Sequence, residues 1–161
     1  PAKMDRTAYE IRGWDGLGTR VAEARDAMPL PKNVFLFGLR YQTASELAFY
    51  VPDNPLTVSI NRWNRPNVYD YWWRDEDLLG KDAIGVLRGD GSRERLLEVF
   101  KAVDFPEPFH VYPKERGQGN LQSPTPIKTL YIYRCYGFKG GLRWISPHQD
   151  DIRVAAPSKP E

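Results

Sequence analysis

The chain of 161 residues has one cysteine, Cys135, and two histidines, His110 and His148. A single cysteine excludes an internal disulfide framework and any multi-cysteine zinc site. The histidines do not stand at metal-ligand spacing, so no metal site is assigned. An excess of one charge is lacking too: 23 Lys and Arg against 21 Asp and Glu leave a formal net charge of +2. That balance gives no argument for a nucleic-acid partner, and none is expected. No apolar run approaches the ~18–20 residues that span a bilayer, and no charged-then-apolar leader opens the chain. Enzyme signatures are missing as well. There is no Gly-rich dinucleotide loop, no Walker loop and no nucleophile elbow. No catalytic residue and no cofactor is therefore assigned.

What is present is the composition of a folded domain, 41% hydrophobic and 27% charged, with 14 Pro and 13 Gly stiffening and punctuating the connections. Residues 1–146 read as a single α/β domain, and 147–161 as a loosely ordered tail. From Asp15 to Met28, the spacing of Leu17, Val21, Ala24 and Met28 predicts a helix, with Asp15 as N-cap and Trp14 as a lid on the first turn. The run Val34-Phe35-Leu36-Phe37 predicts a strand covered on both faces. Thr43-Ala44-Ser45-Glu46 fits a capping box, opening a short helix whose buried face is Ala44, Leu47, Ala48 and Val51. Thr57–Ile60 is a second strand, Asp75–Leu79 a one-turn helix, and Ala83–Leu87 a third strand. Gly91-Ser92 then begins a helix with Leu96, Val99, Phe100 and Val103 inward. Phe109–Lys114 and Thr129–Phe138 read as strands pairing in an antiparallel hairpin. The fold expected is α/β: a mostly parallel, Rossmann-like three-layer sheet with this hairpin at its edge.

Ligands of open parallel sheets bind beyond the carboxyl ends of the strands. There the first strand is followed by Arg40, Tyr41 and Gln42, the second by Asn61, Arg62 and Arg65, and the third by Arg88 and Arg93. The helix starts at Thr43 and Ser92 face the same rim, and free N–H groups there favour anions. A phosphate, pyrophosphate or acidic glycan suits such a rim. The same arginines could instead be solvated or paired with Asp53, Asp75 or Asp90. Asn67, Tyr69, Asp70 and Trp72 lie in an aromatic loop with Tyr71 and Trp73, just after Trp63. Such rings stack on sugars, or pin a loop to a sheet. Asp70 could accept hydrogen bonds from sugar hydroxyls or cap a turn. Asp75-Glu76-Asp77 reads as a helix start rather than a metal cluster. Tyr131, Tyr133 and Cys135 alternate along one strand face, as packing residues do.

The run Arg40-Tyr41-Gln42-x-Ala44-Ser45-Glu46-Leu47-Ala48-Phe49-Tyr50 resembles a segment near the C-terminal end of bacterial polytopic (GT-C type) glycosyltransferases. These are relatives of the dolichyl-phosphate-mannose protein mannosyltransferases and the lipid A aminoarabinose transferases. Asn61-Arg62-x4-Asn67-x-Tyr69-Asp70-x-Trp72, Gly80-Lys81-Asp82-Ala83 and Gly13-Trp14-x2-Leu17-Gly18 are similar to the same family, over about residues 12 to 140. The resemblance implies a soluble extracytoplasmic domain, periplasmic or on the outer face of the inner membrane. It would be tethered through a transmembrane region of the same polypeptide that lies outside this chain, which opens at Pro1. In that family the membrane region takes a sugar from a polyprenyl-phosphate donor, so this domain is expected to be inactive alone. Its partners would be that membrane region and a glycan or polyprenyl-phosphate sugar. Residues carried over by motif are Arg40, Tyr41, Gln42, Glu46, Asn67, Tyr69, Asp70 and Trp72. Two other readings stay open: a free-standing carbohydrate-binding module, and a small α/β enzyme acting on a phosphorylated substrate.

Overall fold

A computed structural model describes residues 13–64, 72–112 and 125–143. The chain is mixed α/β, with helices and an open six-stranded sheet. Helix α1 spans Trp14–Asp26 and buries Leu17, Val21 and Ala24, as their spacing predicts. Its N-cap is Gly13, not Asp15. Trp14 is itself buried and stacks on Tyr50, which moves the helix start two residues earlier. Gly13 has φ 89°, and a Cβ there would meet Val111 at 2.6 Å, so two constraints exclude a larger residue.

Strand β1 (Phe35–Gly38) is buried on both faces, and helix α2 (Tyr41–Tyr50) follows it directly. The helix begins before the capping-box pattern. Arg40 is the N-cap without a side-chain cap, and Thr43 lies in the first turn. The reason is the close approach of β1 to α2: a Cβ on Gly38 would sit 2.7 Å from the Thr43 Cβ, so the chain turns into helix at once. Ala44, Leu47 and Val51 are buried, whereas Ala48 faces outward. Strand β2 is Thr57–Ser59, helix α3 Asp75–Leu78 and strand β3 Ala83–Leu87. Both β2 and β3 pair with β1 in parallel, on opposite sides of it.

The next segment departs from the expected helix. Helix α4 is only Arg93–Leu96, and Phe100–Val103 is strand β4. Leu96, Val99, Phe100 and Val103 all point into the core, but from a helical turn, a loop and a strand in succession. Their 3.6-residue period is coincidental, and the sheet explains why. Strand β6 (Lys128–Phe138) has 11 residues, lies antiparallel beside the five-residue β3, and carries unmatched backbone groups on its far side. Buried N–H and C=O groups need partners. Strands β4 and β5 (Glu107–Val111) supply them, one after the other along β6.

Together β4 and β5 form one long strand interrupted by a bulge. Val103 is opposite Cys135 and Glu107 opposite Ile132, so four steps on one strand match three on the other. Within the bulge the Asp104 N–H donates to the Arg134 carbonyl (2.9 Å). Phe105 is left 80% exposed, beneath the Arg93 guanidinium at 4.7 Å. The expected antiparallel hairpin of β5 and β6 is present. The sheet order is β2-β1-β3-β6, with β4 and β5 beyond β6. Parallel pairing is thus confined to β1, β2 and β3, and every pairing of β6 is antiparallel.

Two apolar clusters lie on the two faces of the sheet. One joins Trp14, Leu17, Val21 and Leu47 of α1 and α2 to Leu36, Ile84 and Ile132. The other joins Leu78 and Leu96 of α3 and α4 to Phe35, Phe37, Tyr133 and Phe138. Gly85 in β3 is opposite Phe37, whose ring would be 2.2 Å from a Cβ placed there. Glycine at that position is what lets the Phe37 ring lie across β3. Among the described residues, no helix is long and apolar enough to cross a membrane.

Candidate functional site

The parallel pairing brings the carboxyl ends of β1, β2 and β3 to one rim, as the sequence requires. The chain leaves β1 toward β2 on one side and later returns to β3 on the other. The sheet therefore has a topological switch between β1 and β3, where open α/β sheets place ligands. A cleft of about 200 Å³ lies at this point. Its walls are Leu39, Arg40 and Thr43 after β1, Asn64 after β2, Val86 and Leu87 at the end of β3, Arg88, Gly89 and Ser92 after it, and Arg95 on α4.

Each wall is fixed by identifiable contacts. The Asn64 side-chain amide donates to the Leu39 carbonyl (2.6 Å), tying the β2 loop to the β1 loop. The loop after β3 is pinned from below by Tyr133. Its buried phenol donates to the Gly89 carbonyl (2.7 Å) and accepts the Ser92 N–H (3.3 Å). Burial pushes the Tyr133 hydroxyl above the ordinary tyrosine range, with the Ser92 hydrogen bond opposing it, so the phenol stays neutral. Arg95 lies over the Trp63 ring at 5.5 Å, and the Trp63 N–H in turn meets Glu98 (3.3 Å).

The electrostatics are one-sided. Arg40, Arg88 and Arg95 line the cleft, and no carboxylate does. Arg40 and Arg88 are exposed and make no ion pair or side-chain hydrogen bond among the described residues. The first turn of α2 opens beside them, with the N–H groups of Tyr41, Gln42 and Thr43 beyond the reach of helical acceptors.

The residues expected at the rim are divided by the structure. Arg40 lines the cleft; Tyr41 is half-exposed and Gln42 exposed on the adjoining helical turn. Asn61 is fully buried, its side-chain oxygen accepting from Ser59 (2.8 Å) and its N–H donating to the Leu142 carbonyl (2.7 Å). It braces the segment after β6 and does not face the cleft. Arg62 pairs with Glu98 (3.4 Å), and Arg93 donates to the Val103 carbonyl (2.8 Å) and covers Phe105. Both serve packing outside the cleft. Trp72 is 61% exposed, whereas Trp63 and Trp73 pack on the core. Arg65, Asn67, Tyr69 and Asp70 lie outside the described residues.

The acidic run before β3 is structural. Asp75 accepts the N–H groups of Gly141 (2.9 Å) and Leu142 (3.0 Å), and Asp77 accepts that of Arg74 (3.0 Å). Cys135 is buried, and burial pushes its thiol well above the usual range, which leaves it unreactive. Sequence reasoning missed Arg95 and Asn64. Arg95 stands three residues past Ser92, on the first turn of the helix it opens. That spacing was the available signal.

No protein-family model, no curated protein and no solved structure matches this chain.

Proposed function

We propose that this chain is a non-catalytic, anion-contacting accessory domain of a polyprenyl-phosphate-sugar-dependent membrane glycosyltransferase, standing on the extracytoplasmic side. The observation that carries the anion contact is the switch-point cleft, with three arginines and no carboxylate in its walls. Attack on a substrate needs a nucleophile or activated water beside a base of suitable pKa, and the lining side chains include neither a carboxylate, a histidine nor a cysteine. Such a cleft holds charge without transforming it. The setting in a glycosyltransferase rests on the likeness of Arg40 to Tyr50 and its neighbours to that family. A Rossmann-like three-layer arrangement agrees with α1 and α2 packing on one face of the sheet and α3 and α4 on the other.

The anion reading is favoured over a sugar-stacking platform by the use made of the aromatic rings. Among the described residues no aromatic side chain lines the cleft: Trp63 supports Arg95, Trp73 is packed against the core, and the exposed Trp72 is not among the lining residues. Two measurements test the proposal. Incubated with a polyprenyl-phosphate sugar and acceptor, the 161-residue chain is expected to give no transfer product; turnover would overturn the accessory role. The reading frame upstream of Pro1 is expected to encode several apolar segments of ~20 residues. A frame without them removes the membrane enzyme.

A further inference from the structure

The cleft has a narrower chemistry than contact with anions in general, and the following rests on the reading of it as an anion contact. We propose that the switch-point cleft is a phosphate site, taking a phosphomonoester or pyrophosphate group in preference to a carboxylate. The first ground is the number and origin of its cations. Arg40, Arg88 and Arg95 come from three separate segments of the chain and meet at one cavity. A carboxylate has two oxygens in one plane, which a single guanidinium satisfies bidentately. A phosphate group has three acceptor oxygens and up to two charges, and three guanidiniums arriving from different elements match it.

The second ground is the ten-residue helix α2, which begins at the cleft wall. Its first-turn N–H groups and positive dipole end add donors that need no side chain, an arrangement recurrent at phosphate sites. Its effect adds to that of Arg40, because Arg40 is the N-cap of the same helix. The third ground is size. Sites for whole drug-sized molecules run to ~300–1,000 Å³. A cleft of about 200 Å³ suits the charged group alone, with the rest of its carrier outside. The backbone that carries these donors is already held, since Tyr133 clamps the loop bearing Arg88 and Asn64 fastens the Leu39 backbone. Phosphate binding then has to order the arginine side chains but not the loops that bear them.

The test is calorimetric titration of the 161-residue chain at low ionic strength with pyrophosphate, inorganic phosphate and glucuronate. Saturable binding of pyrophosphate is expected, displaced by inorganic phosphate, with glucuronate at least ~tenfold weaker. The double variant Arg40→Ala/Arg88→Ala is expected to lose at least ~tenfold in pyrophosphate affinity while melting as the parent does. Arg95→Ala, at an exposed position of α4, serves the same purpose if the double variant fails to fold. Equal affinity for glucuronate and pyrophosphate, or affinity unchanged in the variants, overturns the assignment. Glucuronate binding without pyrophosphate binding overturns it too, but leaves the general anion contact standing. Binding of neither removes both. Flotation with phosphatidylcholine vesicles, with and without phosphatidic acid, separates the two sources of the phosphate. Arginine-dependent flotation with phosphatidic acid supports a lipid-borne group, and pyrophosphate binding without flotation supports a soluble one.

Discussion

The two ends of the sheet differ in a way that size alone would misjudge. A cavity of about 400 Å³ lies at the amino end, twice the volume of the cleft at the carboxyl end. Its walls carry charges of both signs, with Arg25, Lys32 and Lys81 beside Asp26 and Asp53. Arg25 is engaged by both carboxylates, at 3.4 Å to Asp26 and 3.9 Å to Asp53. The smaller cleft has cations only. Direction explains the difference. At the carboxyl end of β1 a long helix begins, presenting its positive end. At the amino end α1 and α2 finish, and their carbonyl ends carry partial negative charge, which favours cations such as Arg25 and opposes a bound anion. Volume marks where side chains leave space; charge and chain direction mark where an anion is held.

The largest effect that can be imposed on this comparison strikes both ends together. Gly85→Val places a side chain in the space of the Phe37 ring, inside the sheet that separates the two cavities. Destabilisation of about 3 kcal/mol is expected, read as a lowered urea midpoint. A midpoint close to the parent's would mean that the ring has room to move and that the two ends are less rigidly joined than the packing implies.

Charge reversal separates the ends. Arg95→Glu puts a carboxylate into the all-cation cleft and is expected to weaken pyrophosphate binding by more than ~tenfold, about 1.4 kcal/mol or above. With both variants titrated at physiological ionic strength, Lys81→Glu at the amino end is expected to change it by less than ~twofold, because the strands separate the two ends by more than the Debye length of ~8 Å. Equal losses in the two variants would show that net charge, not the cleft, governs binding.

Tyr133→Phe sharpens the account of how the cleft is held. It removes two hydrogen bonds to the loop after β3 at a cost of about 1 kcal/mol, and amide exchange at Ser92 is expected to quicken. The Tyr133 hydroxyl titrates above its ordinary value, so its contribution is present below the unfolded tyrosine pKa. It fades as pH rises through the higher folded value. The alkaline limb of the stability profile should therefore flatten in the variant.

The smallest effect lies away from both ends. Glu107 accepts a two-pronged bond from Arg20 (2.6 and 2.8 Å) and another from Arg134 (3.1 Å), joining α1 to the hairpin. The bonds from Arg20, with that from Arg134, hold its pKa below the ordinary carboxylate value against a partial cost of burial. The contribution is present above the unfolded pKa and lost as pH falls through the lower folded one. Glu107→Gln should cost about 0.5–1 kcal/mol at neutral pH, flatten the acid limb and leave ligand binding at the cleft unchanged.

Much of this fold is legible in the residues, and the exceptions share a cause. β1 and β3 were readable because continuous apolar runs bounded by Gly, Pro and Arg have few other destinations. α1 was readable from three inward side chains at helical spacing. β4 was not, because four inward residues at helical spacing were distributed by the sheet among three kinds of backbone. The bulge between β4 and β5 was hidden for the same reason, since it exists only in register with β6. At the site, Arg40 was legible from its place after a buried strand. The internal roles of Asn61 and Arg62 were not, because the Leu142 backbone and Glu98 are distant in sequence.

By itself the sequence determined that this is an α/β chain, that its first three strands open at one rim, and that arginine predominates where they end. These follow from local causes: burial of apolar runs, helix periodicity and the residues placed at turns. Only the tertiary structure decided which arginines share a cavity. Arg62 and Arg93 were drawn off to Glu98 and the Val103 carbonyl, while Arg40, Arg88 and Arg95 were left facing one cleft. A cation's role depends on which carboxylates and carbonyls come within a few ångströms of it. That is fixed by pairings across the sheet, between residues far apart in the chain.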